Sequence, residues 1–248
     1  MRERAWSVLT EGLKHDHAAR RILAVQALSL IPKNRRAERF AVSALKEEKD
    51  AKVRVAAAAT LGQLRATAAI PALRDALNDS DVSVVLSAAQ ALYLMKDPRA
   101  FDIYYAVLMR DHKTGNGQMQ SQLDRLKDPK QMMQLGFEEG IGFVPFASMS
   151  YEAYKEIKRS GTASARAASA RFLAHDPDQA SEDALVEAAL TDSSEQVRLA
   201  AIDAITERGD PNCIVRLEKN LFDDKPVVRY RTAAAILHLI GLEKRADK

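Results

Sequence analysis

Cysteine, glycine, proline and aromatic residues are all scarce in this sequence, and each shortage excludes a class of structure. The single cysteine, Cys213, has no partner for an intramolecular disulfide or a cysteine-based metal site. Ten glycines and eight prolines in 248 residues argue against long flexible linkers. No stretch reaches the roughly 18 consecutive apolar residues that a membrane span needs, and none has the form of a signal peptide. We therefore predict a protein without a membrane span or a cofactor, which is cytoplasmic unless a leader has been removed.

The residues that are abundant favour α-helix. Hydrophobic residues make up 47% of the chain and charged residues 29%, which is enough apolar content for a buried core. Much Ala, Leu, Arg and Glu, with only 6% aromatic residues, favours helix over strand. The net charge of +3 is a weak bias, whereas a dedicated nucleic-acid binder has a stronger basic excess or a basic stripe. Composition therefore predicts an all-α protein.

One pattern of twelve residues recurs six times, and its spacing predicts the architecture. Consecutive copies start 31 to 33 residues apart, except at one interruption, and a period of about 30 to 45 residues indicates stacked structural units. In each copy a small residue, such as Ala57, precedes by four positions a large apolar one, such as Leu61. The small residue lets helices approach closely, and the large one fills the core one turn on. We name these segments the template helices, and they lie at 17–28, 50–61, 81–92, 162–173, 194–205 and 225–236.

A basic residue recurs near the start of five template helices. An arginine there is unfavourably placed for the helix dipole, which favours acids at the N-terminus. It is well placed if it pairs with an acid in the turn of its own or the next repeat, and such acids include Asp50, Asp79 and Asp192. The third template helix has Val85 instead. We interpret the column as a structural ladder rather than a ligand-binding row, and it consists of Arg21, Arg54, Arg166, Arg198 and Arg229.

These features resemble the HEAT-repeat family, in the short bacterial form described for phycobilisome lyases. The resemblance rests on the pattern D-x-x-V-R-x-x-A-A-x-x-L at 50–61 and, with Ser in place of Asp, at 194–205. It implies an all-α, right-handed α-solenoid of about six to seven helical hairpins, each pairing a template helix with the amphipathic helix before it. It implies little about function, because HEAT repeats serve as scaffolds, adaptors and regulators and occasionally as enzymes.

The repeat is interrupted once, where two successive copies start 81 residues apart. We predict one continuous solenoid with N-terminal repeats at 1–111, an irregular helical insertion at 112–160 and C-terminal repeats at 161–248. Five of the fourteen aromatic residues lie in the insertion, between residues 137 and 154. Two interpretations stay open, namely an element that docks a partner and a lengthened repeat whose aromatic residues fill its own core.

Residues that could carry chemistry are dispersed along the sequence. No nucleophile motif, phosphate-binding loop or zinc-protease motif is present. His15 and His17 are two positions apart, so on a helix they point in different directions and cannot share a metal. We therefore predict a non-enzymatic scaffold or adaptor, with a lyase-type enzyme as one alternative. The basic segment PKNRRAER at 32–39 keeps nucleic-acid binding or DNA repair open as another.

The predicted partner-binding surface is the face of the template helices that points away from the core. Residue type varies in these columns while the core columns stay constant, as expected for the open face of a solenoid. The face is small and mixed in charge, which favours a protein or peptide partner over a polyanion. The sequence predicts no oligomeric state. Candidate residues on this face and in the insertion are Gln90, Tyr93, Phe143, Phe146, Tyr151, Arg171, His175, Asp203, Glu207 and Arg231.

Overall fold

The computed structural model describes residues 1–100 and 162–246, and every regular element in these ranges is helical. The all-α prediction is therefore confirmed. The predicted insertion at 112–160, with Phe143, Phe146 and Tyr151, lies outside the described residues. The α-helices are, in chain order, α1 (Arg2–Leu13), α2 (Ala18–Ala27), α3 (Arg35–Glu47), α4 (Ala51–Gln63), α5 (Ile70–Ala76), α6 (Val82–Leu94), α7 (Thr162–Leu173), α8 (Gln179–Thr191), α9 (Glu195–Arg208), α10 (Cys213–Arg216) and α11 (Pro226–Ala246). Short 3-10 helices lie at Leu28–Leu30, Thr67–Ala69 and Glu218–Phe222.

The template helices are α2, α4, α6, α7, α9 and α11, and each begins within one residue of its predicted start. Local chemistry accounts for these starts. The carboxylates of Asp50 and Asp81 accept hydrogen bonds from the backbone amides of Lys52 and Ser83, both at 2.8 Å. Such an N-terminal cap stabilises a helix by about 1 kcal/mol. Asp50, a predicted partner for the arginine column, thus caps its own helix, and Asp81 does the same for α6.

The chain divides into two compact units, one of residues 17–144 and one of residues 1–16 with 145–248. We name the described part of the first unit, residues 17–100, the N-terminal stack. Its template helices lie side by side, with α4 packed against both α2 and α6. The preceding helix of each hairpin packs on its template helix, α3 on α4 and α5 on α6.

We name the described part of the second unit, residues 1–16 with 162–246, the C-terminal stack. Its template helices follow the same plan, with α9 packed against both α7 and α11, and α8 packs on α9. Helix α1 packs against α11, and Arg4 of α1 forms an ion pair with Glu218. The sequence grouped residues 1–16 with the N-terminal repeats. The apolar stripe of α1 (Ala5, Trp6 and Leu9) is instead buried in the C-terminal stack.

The predicted small and large columns form the interior of both stacks. Five of the six small residues are fully buried, namely Ala24, Ala57, Ala88, Ala201 and Thr232. Five of the six large residues are also fully buried, namely Leu28, Leu61, Leu92, Ile205 and Ile236. The prediction is wrong for Ser169 of α7, which is exposed. Helix α7 packs mainly on α9, and its alanines, including Ala167 and Ala170, take the buried positions instead.

Neighbouring template helices of the N-terminal stack approach closely, so that side chains of one helix form hydrogen bonds with the backbone of the helix beside it. The Thr60 hydroxyl donates to the Val25 carbonyl oxygen at 3.2 Å, and the Ser87 hydroxyl donates to that of Val55 at 3.1 Å. A Cβ atom on Gly62 would lie 2.9 Å from the Cα of Ala91. The contact between α4 and α6 therefore depends on a residue without a side chain at position 62.

Candidate interaction surfaces

The arginine column joins successive repeats through specific hydrogen bonds. The Nε and Nη2 atoms of Arg54 donate to the two carboxylate oxygens of Asp79, both at 2.8 Å. Its Nη1 atom donates to the carbonyl oxygens of Glu48 and Lys49 at 3.0 and 3.1 Å. One guanidinium thus ties the turn before its own helix to the turn of the next repeat. The hydrogen bonds to Asp79 are the largest cause of the raised pKa of Arg54.

The same arrangement recurs in the C-terminal stack. Arg198 donates to the Asp192 carbonyl oxygen at 2.8 Å and to the Asp223 carboxylate at 3.3 Å. Arg166 binds the Asp192 carboxylate with two bonds of 2.8 and 3.0 Å. The Arg166 guanidinium, together with the Ser194 amide, holds the pKa of Asp192 below its usual range.

The arginines at the two ends of the column each show one part of this arrangement. Arg21 lies 2.9 Å from a carboxylate oxygen of Glu48, and Arg229 donates to the Asp223 carbonyl oxygen at 2.6 Å. All five arginines of the column thus bind acceptors of the fold itself.

Apart from Lys52 at the start of α4, the exposed face of the N-terminal template helices carries uncharged side chains, one of them a large aromatic. Gln26 and Gln63 are exposed, Gln90 is half-buried, and Tyr93 is 53% exposed. We name these four residues the neutral strip. Only Gln90 and Tyr93 of the strip are among the candidate residues from sequence.

Several residues that the sequence assigned to the open face are buried. Ala56, Ser83 and Ser87 lie below a tenth exposed, because neighbouring template helices cover them and Ser87 bonds across that contact. The open face is therefore narrower than its helical periodicity predicts.

The C-terminal stack carries the other candidate residues, and several of them pair with one another. Asp203 of α9 accepts two hydrogen bonds from Arg231 of α11, at 2.6 and 2.8 Å. His175 lies 3.8 Å from Glu207, and both are exposed. Arg171 of α7 is also exposed. Phe172, 62% exposed, lies beside these residues in sequence and was not predicted as a surface residue.

A second surface, missed from sequence, lies between α8 and the segment of α10 with the following 3-10 helix. An open groove of about 760 Å³ is bordered there by Val186 and Leu190 of α8 and by the more exposed Val215 and Phe222. Val215 is 72% exposed and Phe222 70%. In the sequence Val215 and Phe222 belong to an amphipathic segment, and only the packing shows that these two side chains point outward.

Beneath this segment is a buried polar cluster around Glu182. The Glu182 carboxylate lies 3.3 Å from Arg216 and 4.0 Å from Arg208. Arg208 also donates to the carbonyl oxygens of Leu173 at 2.9 Å and of Asp176. Burial, reinforced by Glu182, raises the pKa of the Cys213 thiol to about 12. The thiol is therefore protonated at neutral pH, and the cluster links four elements of the C-terminal stack.

A cluster of side chains placed to bind a metal ion is absent from the part of the chain that the structure describes. No three His, Cys, Asp or Glu side chains within residues 1–100 and 162–246 are placed to hold a metal ion. None of the helices in the same ranges has the length and apolar character that crossing a membrane requires.

The chain matches one family of repeat proteins and has distant likenesses among solved structures. The family model for HEAT repeats matches residues 38–113 and 153–237, more than half of the chain. None of the curated proteins matches this sequence. Human deoxyhypusine hydroxylase, solved in complex with glycerol, is similar at 16% identity and a TM-score of 0.37, covering 97% of each chain. An engineered protein is similar at 15% identity and a TM-score of 0.33, covering 97% of this chain and 98% of its own. Likenesses this distant carry no information about activity.

Proposed function

This chain belongs to the HEAT-repeat family, and from that premise we propose that it is a non-enzymatic interaction scaffold. Its partner is a protein or peptide that binds the exposed face of the template helices. Repeat families of this kind use a stacked interior for stability and leave the residues of one face to vary with the partner.

The observation that carries the proposal is the exposure of Tyr93 within the neutral strip. Tyrosine offers a large apolar area at a low cost in side-chain entropy and is enriched at the energetic centres of protein interfaces. The three glutamines of the strip offer hydrogen bonds without the desolvation cost of charged groups. Depletion of charge around an aromatic anchor is typical of the centre of an interface.

The template face of the C-terminal stack supports the same role with different chemistry. Phe172 offers an apolar anchor, and Arg231 and Asp203 are held in place by their two mutual hydrogen bonds. Charged side chains fixed before binding contribute to specificity, because they lose little freedom when the partner arrives.

The proposal is tested by substituting the two exposed aromatic residues with a charged one. We expect Tyr93→Glu and Phe172→Glu each to weaken binding of a partner isolated with the wild-type chain by at least tenfold. That change corresponds to about 1.4 kcal/mol. Isothermal titration with the purified partner measures it, and circular dichroism checks that each variant is folded.

Val215→Glu is the matched control, because Val215 has comparable exposure but lies on α10 rather than on a template helix. We expect this variant to bind the partner as the wild type does. If Val215→Glu abolishes binding while the two template-helix variants do not, the partner uses the groove and the proposed surface is wrong. Turnover of a substrate by the purified chain contradicts the non-enzymatic role.

A further inference from the structure

We infer that the N-terminal stack binds an acidic, extended polypeptide segment along a row formed by Lys33, Arg65 and Lys96. We name these three residues the basic edge. None of them belongs to the neutral strip, so the inference does not depend on the proposed function. It starts from an unusual feature of the backbone.

The three residues share a left-handed backbone conformation. Their φ angles are 59°, 48° and 60°, and within residues 1–100 and 162–246 no other residue except glycine has a positive φ. They lie 32 and 31 residues apart in sequence, each just after a template helix or its 3-10 extension. A non-glycine residue rarely adopts this conformation, because its Cβ approaches the following carbonyl oxygen.

Two of the three occupy a helix terminus at which glycine is preferred. The amide of Ala66 donates to the Leu61 carbonyl oxygen at 3.1 Å, and that of Asp97 donates to Leu92 at 2.9 Å. These bonds define the Schellman motif, in which Arg65 and Lys96 take the left-handed position that is usually glycine. In the C-terminal stack the matching residue after α9 is Gly209, with φ of 76°. Termination of the helix therefore does not require a basic side chain.

Stability offers one competing explanation for the basic residues. A cation at the end of a helix interacts favourably with the carbonyl groups there. This interaction works against the backbone strain, so the sign of the net effect on stability distinguishes the two explanations. A basic side chain kept for its role in the fold lowers stability when it is replaced by glycine, whereas one kept for binding leaves stability unchanged or raises it.

The charge around the basic edge points to an acidic partner. Residues 17–100 contain 14 Lys and Arg against 8 Asp and Glu, whereas residues 162–248 contain 12 against 15. Lys33, Arg65 and Lys96 are all exposed, as are the nearby Arg35 and Arg99. The acid next to Lys96 in sequence, Asp97, is buried and accepts a hydrogen bond of 2.6 Å from Arg74. It therefore does not neutralise the row at the surface.

The spacing of the row fits a polypeptide. Helices α2, α4 and α6 are packed in sequence, and packed helices lie about 8–10 Å apart. An extended chain in the polyproline II conformation advances about 3.1 Å per residue and has three residues per turn. Carboxylates at every third position therefore lie on one side of it, about 9 Å apart, and meet one cation per repeat. Duplex DNA presents one charge per about 1.7 Å, so several phosphates would face each cation of the row. A segment with regularly spaced acids is therefore the better complement.

The test uses a fluorescein-labelled peptide of five Glu-Ser-Ser repeats, with fluorescence anisotropy in 50 mM salt. We expect saturable binding to the full wild-type chain. The combined variant Lys33→Gly, Arg65→Gly and Lys96→Gly should weaken it at least tenfold. A second variant with glutamine at the same three positions should weaken it equally, and it retains a side chain in case the glycine variant fails to fold.

The matched control is the combined variant Lys46→Gln, Lys49→Gln and Lys52→Gln. It changes the net charge of the same stack by the same amount, but its three residues lie around the turn between α3 and α4. We expect less than a threefold loss of affinity, because the row itself is intact.

Four results overturn the inference. One is an equal loss in the control variant, which makes total charge responsible. Another is tighter binding of a mixed-sequence 20-base single strand or 20-base-pair duplex than of the peptide, with the same sensitivity to the row, which makes the row a nucleic-acid site. A lowered melting temperature in the glycine variant assigns the basic residues to stability. Absence of saturable peptide binding to the wild type also overturns it.

Discussion

Arg54 bridges two turns of the N-terminal stack through Asp79, and Arg198 bridges two turns of the C-terminal stack through Asp223. Where the helices end, the two stacks differ. The N-terminal stack places Arg65 and Lys96 in the left-handed conformation, whereas the C-terminal stack places Gly209 there. Their exposed template faces also differ, since one is a neutral strip and the other carries paired charges.

The comparison shows which residues of a repeat are constrained by the fold. Both stacks share the interior columns of small and large residues, except at Ser169 of α7, because the helices cannot pack closely with other sizes of side chain. Residues at the helix ends and on the open face contact solvent and differ between the stacks. Such residues are where a scaffold can acquire a partner without losing its interior.

The largest predicted effect is that a substitution in α1 destabilises the C-terminal stack and leaves the N-terminal stack unchanged. Trp6 is almost fully buried where α1 packs on α11, and truncating a buried tryptophan costs about 3–5 kcal/mol. We expect Trp6→Ala to lower hydrogen-exchange protection in α11 while α4 keeps its protection. Ser7→Ala, an exposed position on the same helix, should change neither. Equal loss of protection in α4 contradicts the division into stacks.

A smaller effect compares the arginine column in the two stacks. Removing Arg54 takes the guanidinium away from two carbonyl groups and from the mostly buried Asp79 carboxylate, which keeps only the Asp81 amide among its named donors. Arg54→Ala should therefore cost about 2 kcal/mol in urea unfolding. Arg166 is 44% exposed in its side chain, and water can replace it at Asp192. Arg166→Ala should therefore cost less. The reverse ranking contradicts the role assigned to Arg54.

Replacing a glycine by alanine should raise stability at one position of the C-terminal stack and lower it at one position of the N-terminal stack. Alanine favours helix over glycine by about 1 kcal/mol. Gly241→Ala in α11 meets no atom within 4 Å and should stabilise the chain by that amount. Gly62→Ala meets the backbone of Ala91 at 2.9 Å, and overpacking costs about 1–3 kcal/mol, so its net effect should be destabilising by about 1 kcal/mol. Thermal unfolding measures both, and stabilisation by Gly62→Ala contradicts the close contact of α4 and α6.

The smallest effect depends on pH. The pKa of Asp192 in the folded chain lies below its ordinary value of 3.8, chiefly because of the hydrogen bonds from Arg166. The bonds therefore stabilise the fold above pH 3.8, and this stabilisation is lost as the pH falls through the lowered pKa. Asp192→Asn should be less stable than the wild type at pH 7, and the difference should shrink below pH 3.8. A difference that does not change with pH contradicts this assignment.

The interior could be predicted well from the sequence, because six copies of one pattern can be aligned with one another. The starts of the template helices and the columns of Ala57 and Leu61 follow from spacing alone. Long-range packing does not follow from spacing. Docking of α1 on α11 joins the two ends of the chain, and burial of Ser87 depends on how closely α4 and α6 approach.

The candidate surfaces were predicted only in part. Asp203 and Arg231, which pair with each other, lie in columns that the repeat identifies. The exposed Tyr93 was also a candidate from sequence, although it lies one position before such a column. The basic edge does not stand out in the sequence, because Lys33, Arg65 and Lys96 resemble ordinary surface residues until their backbone angles are known. The net charge of +3 is also the sum over a basic N-terminal and an acidic C-terminal stack, so it hides the difference between them.

The claim that packing residues and binding residues are separate is tested most directly by one comparison of affinity. The dissociation constant of the purified partner is measured for Arg54→Ala and for Tyr93→Glu at a temperature where both variants are folded. The account predicts that Arg54→Ala binds as the wild type does, although it is less stable, while Tyr93→Glu binds at least tenfold more weakly at unchanged stability. Weakened binding by Arg54→Ala together with unchanged binding by Tyr93→Glu contradicts it.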